Sequence, residues 1–223
     1  MSNHDFNLVN YDTDSIMVCK PDGSAFDSEE QSQLLIELNS LFPKRIKWEP
    51  DGYFHTVAII KAKNYILYDG KKLKIKGAAL KATTKEPALQ EYIKEVIDCI
   101  IEGRYNHKEV YDKYAKEIMS LTDIKRWATR KTLTNTVFAG EQTTAKKVLD
   151  AIDGTEYTEG DRAYFFFKPD ESLELVENFT GEYHVDKLLE KLFKTSSIFH
   201  TVIPKDTFPN YKLKRNKILL SSL

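Results

Sequence analysis

The sequence predicts a mixed α+β fold in which a sheet-rich segment is followed by a helix-rich one, with a boundary near residue 80. Three observations carry this. Up to Lys76 the apolar residues come in short β-branched and aromatic runs separated by turn signals. From Thr84 the apolar spacing changes to the 3.6-residue period of helices. Within that second part, Ala163-Tyr164-Phe165-Phe166-Phe167 follows Gly160 and reads as one buried strand, so strands and helices are grouped and not regularly alternated.

In chain order, the first element is a hairpin over residues 6–20. Phe6-Asn7-Leu8-Val9-Asn10-Tyr11 and Ile16-Met17-Val18-Cys19 have strand character, and Asp12-Thr13-Asp14-Ser15 between them favours a tight bend. Asp27 and Glu30 form a capping box that opens a helix with Leu34, Leu35, Leu38, Leu41 and Phe42 on one face. Strands are expected near 45–50, 54–60 and 63–69, with Asp51-Gly52 and Asp69-Gly70 as turns, and a short strand over 72–76. Pro87 suits a first helical turn, Leu89, Ile93, Val96, Ile97 and Ile100 form the buried stripe, and Gly103 ends that helix. Further helices are expected near 107–120, 130–138, 142–152 and 184–200. No internal repeat or low-complexity tract interrupts this order.

A chain of 223 residues holds one large or two modest domains, and 41% hydrophobic with 30% charged residues belongs to globular proteins. No apolar run reaches the length of a membrane span, and the N-terminus lacks a basic-then-apolar leader pattern. Cys19 and Cys99 lie in apolar contexts, which favours buried free thiols and a reducing cytoplasm. The five histidines show no ligand spacing. The net charge of −1 conceals segregation: residues 1–60 hold ten acids and four bases, and residues 61–85 hold eight lysines and one acid. Residues 104–147 carry ten bases and five acids, and residues 150–190 twelve acids and three bases. Such blocks can present a basic channel, although a lysine-rich strand can also be a solvated edge.

Asp12 and Asp14 are the sharpest chemical feature. Two carboxylates one residue apart at a bend offer hard oxygen ligands suited to Mg²⁺, which takes one or two protein carboxylates and keeps several waters. A solvated Asp-x-Asp turn is the plainer alternative.

Asn10-Tyr11-Asp12-Thr13-Asp14-Ser15 resembles motif C of family B DNA polymerases, usually Tyr-Gly-Asp-Thr-Asp-Ser, with Tyr11 departing where a small residue is usual. Lys61-Ala62-Lys63-Asn64-Tyr65 is similar to the family's Lys-Lys-Arg-Tyr or Lys-x-Tyr motif. Lys72-Leu73-Lys74-Ile75-Lys76-Gly77 resembles the strand that precedes the thumb, and residues 125–134 resemble the thumb segment that grips product duplex. The resemblance implies a DNA-directed DNA polymerase, with residues 1–80 the C-terminal part of a palm and residues 81–223 a thumb. It makes Asp14 the ligand bridging both ions of a two-Mg²⁺ site and, with Thr13, a contact of the incoming nucleotide. Asp12 would orient water or backbone nearby, and Glu49 is either a third acid or a surface glutamate. Lys63 and Tyr65, two apart and so expected on one strand face, would hold the primer end, as would Lys74, Lys76 and Gly77. Arg126, Arg130 and Lys131, aided by Thr132 and Thr134, would contact duplex phosphates. The tail Tyr211–Leu220 is basic then apolar and is either a clamp-docking element, disordered, or packed on the thumb.

Two motifs of the family have no match: the Asp-x-x-Ser-Leu-Tyr-Pro segment bearing the opposing aspartate, and the Lys-x-x-x-Asn-Ser-x-Tyr-Gly helix that holds the nucleotide. The acidic motifs of a proofreading exonuclease are missing too. The expectation is therefore the C-terminal piece of a polymerase, from a gene split as in some tailed phages or from a fragment. Its partners would be an N-terminal chain with fingers, remaining palm and exonuclease, primer–template DNA, dNTP and a sliding clamp, in the host cytoplasm if viral and with no membrane. The alternative is a non-catalytic duplex-binding or processivity module with an inherited acidic turn. Retention of both aspartates favours the polymerase, since a pure binder would gain affinity by losing acids near phosphates.

Overall fold

The computed structural model describes residues 6–77, 80, 86–104, 106–139 and 143–203. The expected helix start at Thr84 and the tail Tyr211–Leu220 lie outside them. The fold is mixed α+β, built from three small antiparallel sheets and short to medium helices. The chain divides into two units, residues 1–77 and residues 78–223.

In the first unit, β1 (Asn7–Asp12) pairs with β2 (Ser15–Cys19) in the register Tyr11↔Ile16 and Asp12↔Ser15, with Thr13-Asp14 as a two-residue loop. Tyr11 does not disturb the bend: it sits in the ladder opposite Ile16 with its ring out in solvent. Helix α1 (Ser28–Ser40) opens with the expected capping box, since Asp27 accepts from the Glu29 and Glu30 amides and Glu30 accepts from the Asp27 amide. Its apolar face is poorly covered: none of its residues is buried, and Ile36 is exposed.

The strand expected over 45–50 does not form. Pro43 and Pro50 flank the segment and Pro50 has no amide to donate to a ladder. The Asn39 side chain takes the role of a neighbouring strand, donating to the Trp48 carbonyl at 3.0 Å and accepting from the Trp48 amide at 2.7 Å. The next three strands form one meander: β3 (Thr56–Lys61), β4 (Asn64–Tyr68) and β5 (Leu73–Lys76). Ala58, Ile60 and Ile66 are buried, with Leu67, and are the buried hydrophobics described for this unit.

The second unit is packed more deeply. Helix α2 (Pro87–Ile101) has Pro87 at its first position and ends in a Schellman turn: the Gly103 amide bonds to the Ile100 carbonyl and the Arg104 amide to the Cys99 carbonyl. Gly103 at φ +63° supplies the left-handed residue that this turn requires. Leu89, Tyr92, Ile93, Val96 and Ile97 of α2 face Val110, Tyr111, Tyr114 and Ile118 of α3 (His107–Met119). Tyr92, Tyr111, Tyr114 and Trp127 form a chain of edge-to-face rings.

The helix expected over 130–138 forms only in its second half, and the first half is strand. A 3₁₀ turn (Ile124–Trp127) leads into β6 (Thr129–Thr132), and only α4 (Asn135–Phe138) is helical. Two β-branched threonines suit the pleat, and β6 pairs along β7 (Arg162–Phe167), which also pairs with β8 (Leu173–Leu175), a strand with no sequence signal. One face of this sheet, with Leu133, Ala163, Phe165, Leu173 and Leu175, packs on Val148 and Ile152 of α5 (Thr143–Ile152). Helix α6 (Val185–Ser196) completes the packing against α3 and α2. Cys99 is buried and Cys19 half-buried, both as free thiols. Among the described residues no helix is long and apolar enough to cross a membrane.

Candidate functional site

The site is built from two hairpin turns of the first unit that meet. Asp12 ends β1 and Asp14 lies in the following loop, so a two-residue turn presents both carboxylates at one end of the hairpin. Asp12 Oδ1 accepts from the Thr13 amide at 2.9 Å and from Thr13 Oγ1 at 3.3 Å. Lys63 Nζ approaches the same oxygen at 3.5 Å. The Thr13 amide, with the Lys63 charge, holds the Asp12 carboxyl below its ordinary value, so it is ionised at neutral pH. Asp14 is exposed and makes no hydrogen bond or ion pair among the described residues. One carboxylate is therefore oriented and the other is available.

Lys63 is not on a strand, as expected, but in the Ala62-Lys63 turn between Lys61 and Asn64, at φ +60°. From that turn its side chain reaches Asp12. Because its side chain is 75% exposed, the ion pair adds little to stability; its consequence is a cation beside the acidic turn. Tyr65 is half-buried on β4 and pairs with Ile59 on one side and Lys76 on the other. Directly opposed residues share a face, so Tyr65, Lys76 and Lys74 lie together, with Lys74 Nζ over the Phe54 ring at 5.5 Å. Tyr65 thus groups with Lys74 and Lys76.

Gly77 is held at φ +92° with no room for a side chain: a Cβ would fall on Asn64 Oδ1 and the Lys63 carbonyl. The close approach that Gly77 permits is to this chain's own turn. Asn64, which the motif reading passed over, is buried there and donates to the Ala62 carbonyl at 2.8 Å, shaping the turn that carries Lys63.

Glu49 pairs with Lys47 at 3.0 Å, both well exposed. Among the described residues no three His, Cys, Asp or Glu side chains converge as a metal-binding group, so Glu49 does not join Asp12 and Asp14 in one. The pair fits the share of protein carboxylates that Mg²⁺ usually takes, with further ligands required from elsewhere.

In the second unit the basic residues separate. Arg126 is already matched by Glu117 and Glu91, and Glu117 also accepts from Trp127 Nε1 at 2.9 Å. Its place is a brace between α2, α3 and the 3₁₀ turn. Arg130 and Lys131 are neighbours on β6 and so point to opposite faces. Lys131 shares its face with Thr129 and the buried Ala163, whereas Arg130 shares the open face with Thr132. Thr134 precedes α4 and is exposed. Tyr164, expected within a fully buried strand, is half-buried on that open face, where the alternation Arg162-Ala163-Tyr164-Phe165 was the available sequence signal.

No protein-family model and no curated protein matches the sequence. Among solved structures the chain is similar to the family B DNA polymerase of the hyperthermophilic archaeon Pyrobaculum calidifontis, with a TM-score of 0.61 at 15% identity. The match covers 86% of this chain and 26% of that one, so this chain spans about a quarter of the polymerase it resembles. At that identity the likeness establishes the fold: most of this chain is folded like part of a family B DNA polymerase.

Proposed function

We propose that the chain supplies the C-terminal part of the palm, residues 1–80, and the thumb, residues 81–223, of a DNA-directed DNA polymerase of family B type. The observation that carries this reading is the acidic two-residue turn with Lys63 beside it, in a chain folded like part of such a polymerase.

Asp14, available and exposed, would hold Mg²⁺, with Thr13 beside it at the nucleotide. Asp12, fixed by the Thr13 amide, orients water and the turn. The chemistry that Mg²⁺ would supply there is activation of the primer hydroxyl and neutralisation of charge on the triphosphate. Lys63 balances the acidic turn and brings a cation to the primer end. The Tyr65, Lys74 and Lys76 face gives a hydroxyl and two ammonium groups to the primer backbone, which positions DNA without reading its sequence. Glu49 is assigned a surface role. The opposing aspartate and the nucleotide-binding helix must come from polypeptide outside these 223 residues, so activity requires that partner portion, together with primer–template and dNTP.

The test is primer extension in Mg²⁺ by this chain mixed with the portion carrying the two missing motifs. Extension by the mixture, lost on Asp14→Asn with assembly retained, supports the reading. Duplex binding with no extension under any pairing would leave a binding module instead.

A further inference from the structure

We propose that Asn64 and Gly77 are positioning residues of the acidic turn: they clamp the Ala62-Lys63 turn, and this clamp delivers the Lys63 ammonium to Asp12. Lys63 has φ +60°, and among the described residues only Glu171 shares a positive φ without being glycine. A lysine has no intrinsic reason to hold that conformation, because its Cβ crowds the following carbonyl. It persists only where neighbouring structure imposes it.

Two neighbours do so here. The register of β4 and β5 sets Tyr65 opposite Lys76, and its continuation sets Asn64 opposite Gly77. Opposed residues on neighbouring strands ordinarily meet through their side chains. Gly77 leaves that place empty and the Asn64 side chain fills it: a Cβ on Gly77 would collide with Asn64 Oδ1 and with the Lys63 carbonyl. At φ +92° Gly77 also occupies backbone territory that other residues rarely enter, so its conformation and its lack of a side chain are both used. Asn64 is 9% exposed, and its Nδ2 donates to the Ala62 carbonyl at 2.8 Å. Lys63 is therefore held on both sides, through the carbonyl of its predecessor and by the packing of Gly77 on its own.

The consequence is read at Asp12. Lysine carries its charge on a flexible four-carbon stem, so where the ammonium goes depends on where the turn anchors it. From this turn Nζ comes to 3.5 Å from Asp12 Oδ1, the oxygen that also accepts from the Thr13 amide and hydroxyl. Asp12 is thus oriented by its own loop and by the second hairpin together. An ion pair this exposed is weak by itself, so the contact depends on a cation already held in place. Asn64 and Gly77 act through Lys63 and touch no substrate. Their effect on extension rests on the polymerase reading, whereas the clamp does not.

The test is zero-length cross-linking of the full chain with a carbodiimide, which joins an amine to a carboxylate only where the two meet, read by peptide mass spectrometry. Wild type should give an Asp12–Lys63 product beside a Lys20–Glu30 product, whose ion pair at 2.6 Å reports on the folding of the same unit. Asn64→Ala and Gly77→Ala should each lose most of the Asp12–Lys63 product and keep Lys20–Glu30. Gly77→Ala is the harsher change, and Asn64→Ala keeps the test decisive if that variant does not fold. An unchanged Asp12–Lys63 yield in Asn64→Ala overturns the clamp. Loss of both products in Asn64→Ala overturns it too, since the residue then supports the whole unit and not Lys63. In the mixture with the partner portion, Asn64→Ala should lower kcat for primer extension by about tenfold. Added to Lys63→Ala it should lower kcat no further, because it acts through that side chain, and an additional loss would contradict the proposal. A wild-type mixture that extends no primer would sink the polymerase reading, while a selective loss of the Asp12–Lys63 product would still uphold the clamp.

Discussion

The two units differ in how much of their apolar surface they can cover themselves. Among the described residues, Phe6, Leu8, Tyr11, Ile36, Leu41, Phe42, Ile46, Tyr53 and Leu73 of the first unit are exposed, against Phe138 alone in the second. The first unit has four buried hydrophobics, and the rest of the core lies within residues 80–203. Yet the acidic turn is in the under-packed unit. The difference separates a unit whose core its own chain covers from one that leaves apolar side chains exposed, the surface that the proposed reading gives to a partner portion.

The sharpest way to break that contrast is to exchange chemistry for stability. Asp14→Asn in the reconstituted polymerase should lower extension by at least about 10³-fold, several kcal/mol of transition-state stabilisation, while leaving the chain's melting temperature unchanged. Asp12→Asn should cost less, because Asp12 is already engaged by Thr13 and Lys63. A larger loss from Asp12 would reverse their roles.

The second unit should respond in the opposite sense. Leu133→Ala, at a fully buried position, should cost about 2–5 kcal/mol in chemical denaturation. Leu41→Ala in the first unit, at 74% exposure, should stay within about 0.5 kcal/mol in the isolated chain. Once the partner portion is present, Leu41→Ala should weaken assembly, and equal effects in both states would mean that its surface is simply solvent-facing.

A buried pair in the second unit sharpens the point through pH. Burial pushes the Glu86 carboxyl up, but the Lys191 charge and hydrogen bonds from Lys191 and Thr129 outweigh it and hold the pKa below its ordinary 4.5. A carboxyl held low stabilises the fold above its ordinary value and loses that contribution as pH falls through the lowered one. Thermal melts should therefore decline in the acid range below about pH 4.5 in the wild type. Glu86→Gln should lose about 2 kcal/mol at neutral pH, where Lys191 is left unmatched, and should show a shallower acid decline. An identical acid decline in the variant would assign it to other carboxylates.

Much of the fold was legible because its signals are local. The Asp27–Glu30 box, Pro87, Gly103 and the α2 stripe each fix backbone within a turn or two, and each element formed where expected. The errors fall where tertiary contacts decide. Residues 45–50 are irregular because the Asn39 amide, nine positions from Trp48, takes both backbone groups of that residue. Residues 129–132 are a strand because β7 supplies a partner some thirty positions on. The site shows the same division. The acidic bend and its order relative to Lys63 could be read from the motif, whereas Lys63 at positive φ and its approach to Asp12 could not. Nor could spacing tell that Arg126 is spent on two glutamates while Arg162, just before an apolar run, has no ion-pair partner among the described residues.

The most direct measurement is Mg²⁺-dependent primer extension by the purified chain, alone and mixed with the polypeptide bearing the opposing aspartate and the nucleotide-binding helix. The account predicts none from the chain alone and template-directed extension from the mixture, abolished by Asp14→Asn. Robust extension by the chain alone, or extension by the mixture that survives Asp14→Asn, would contradict it.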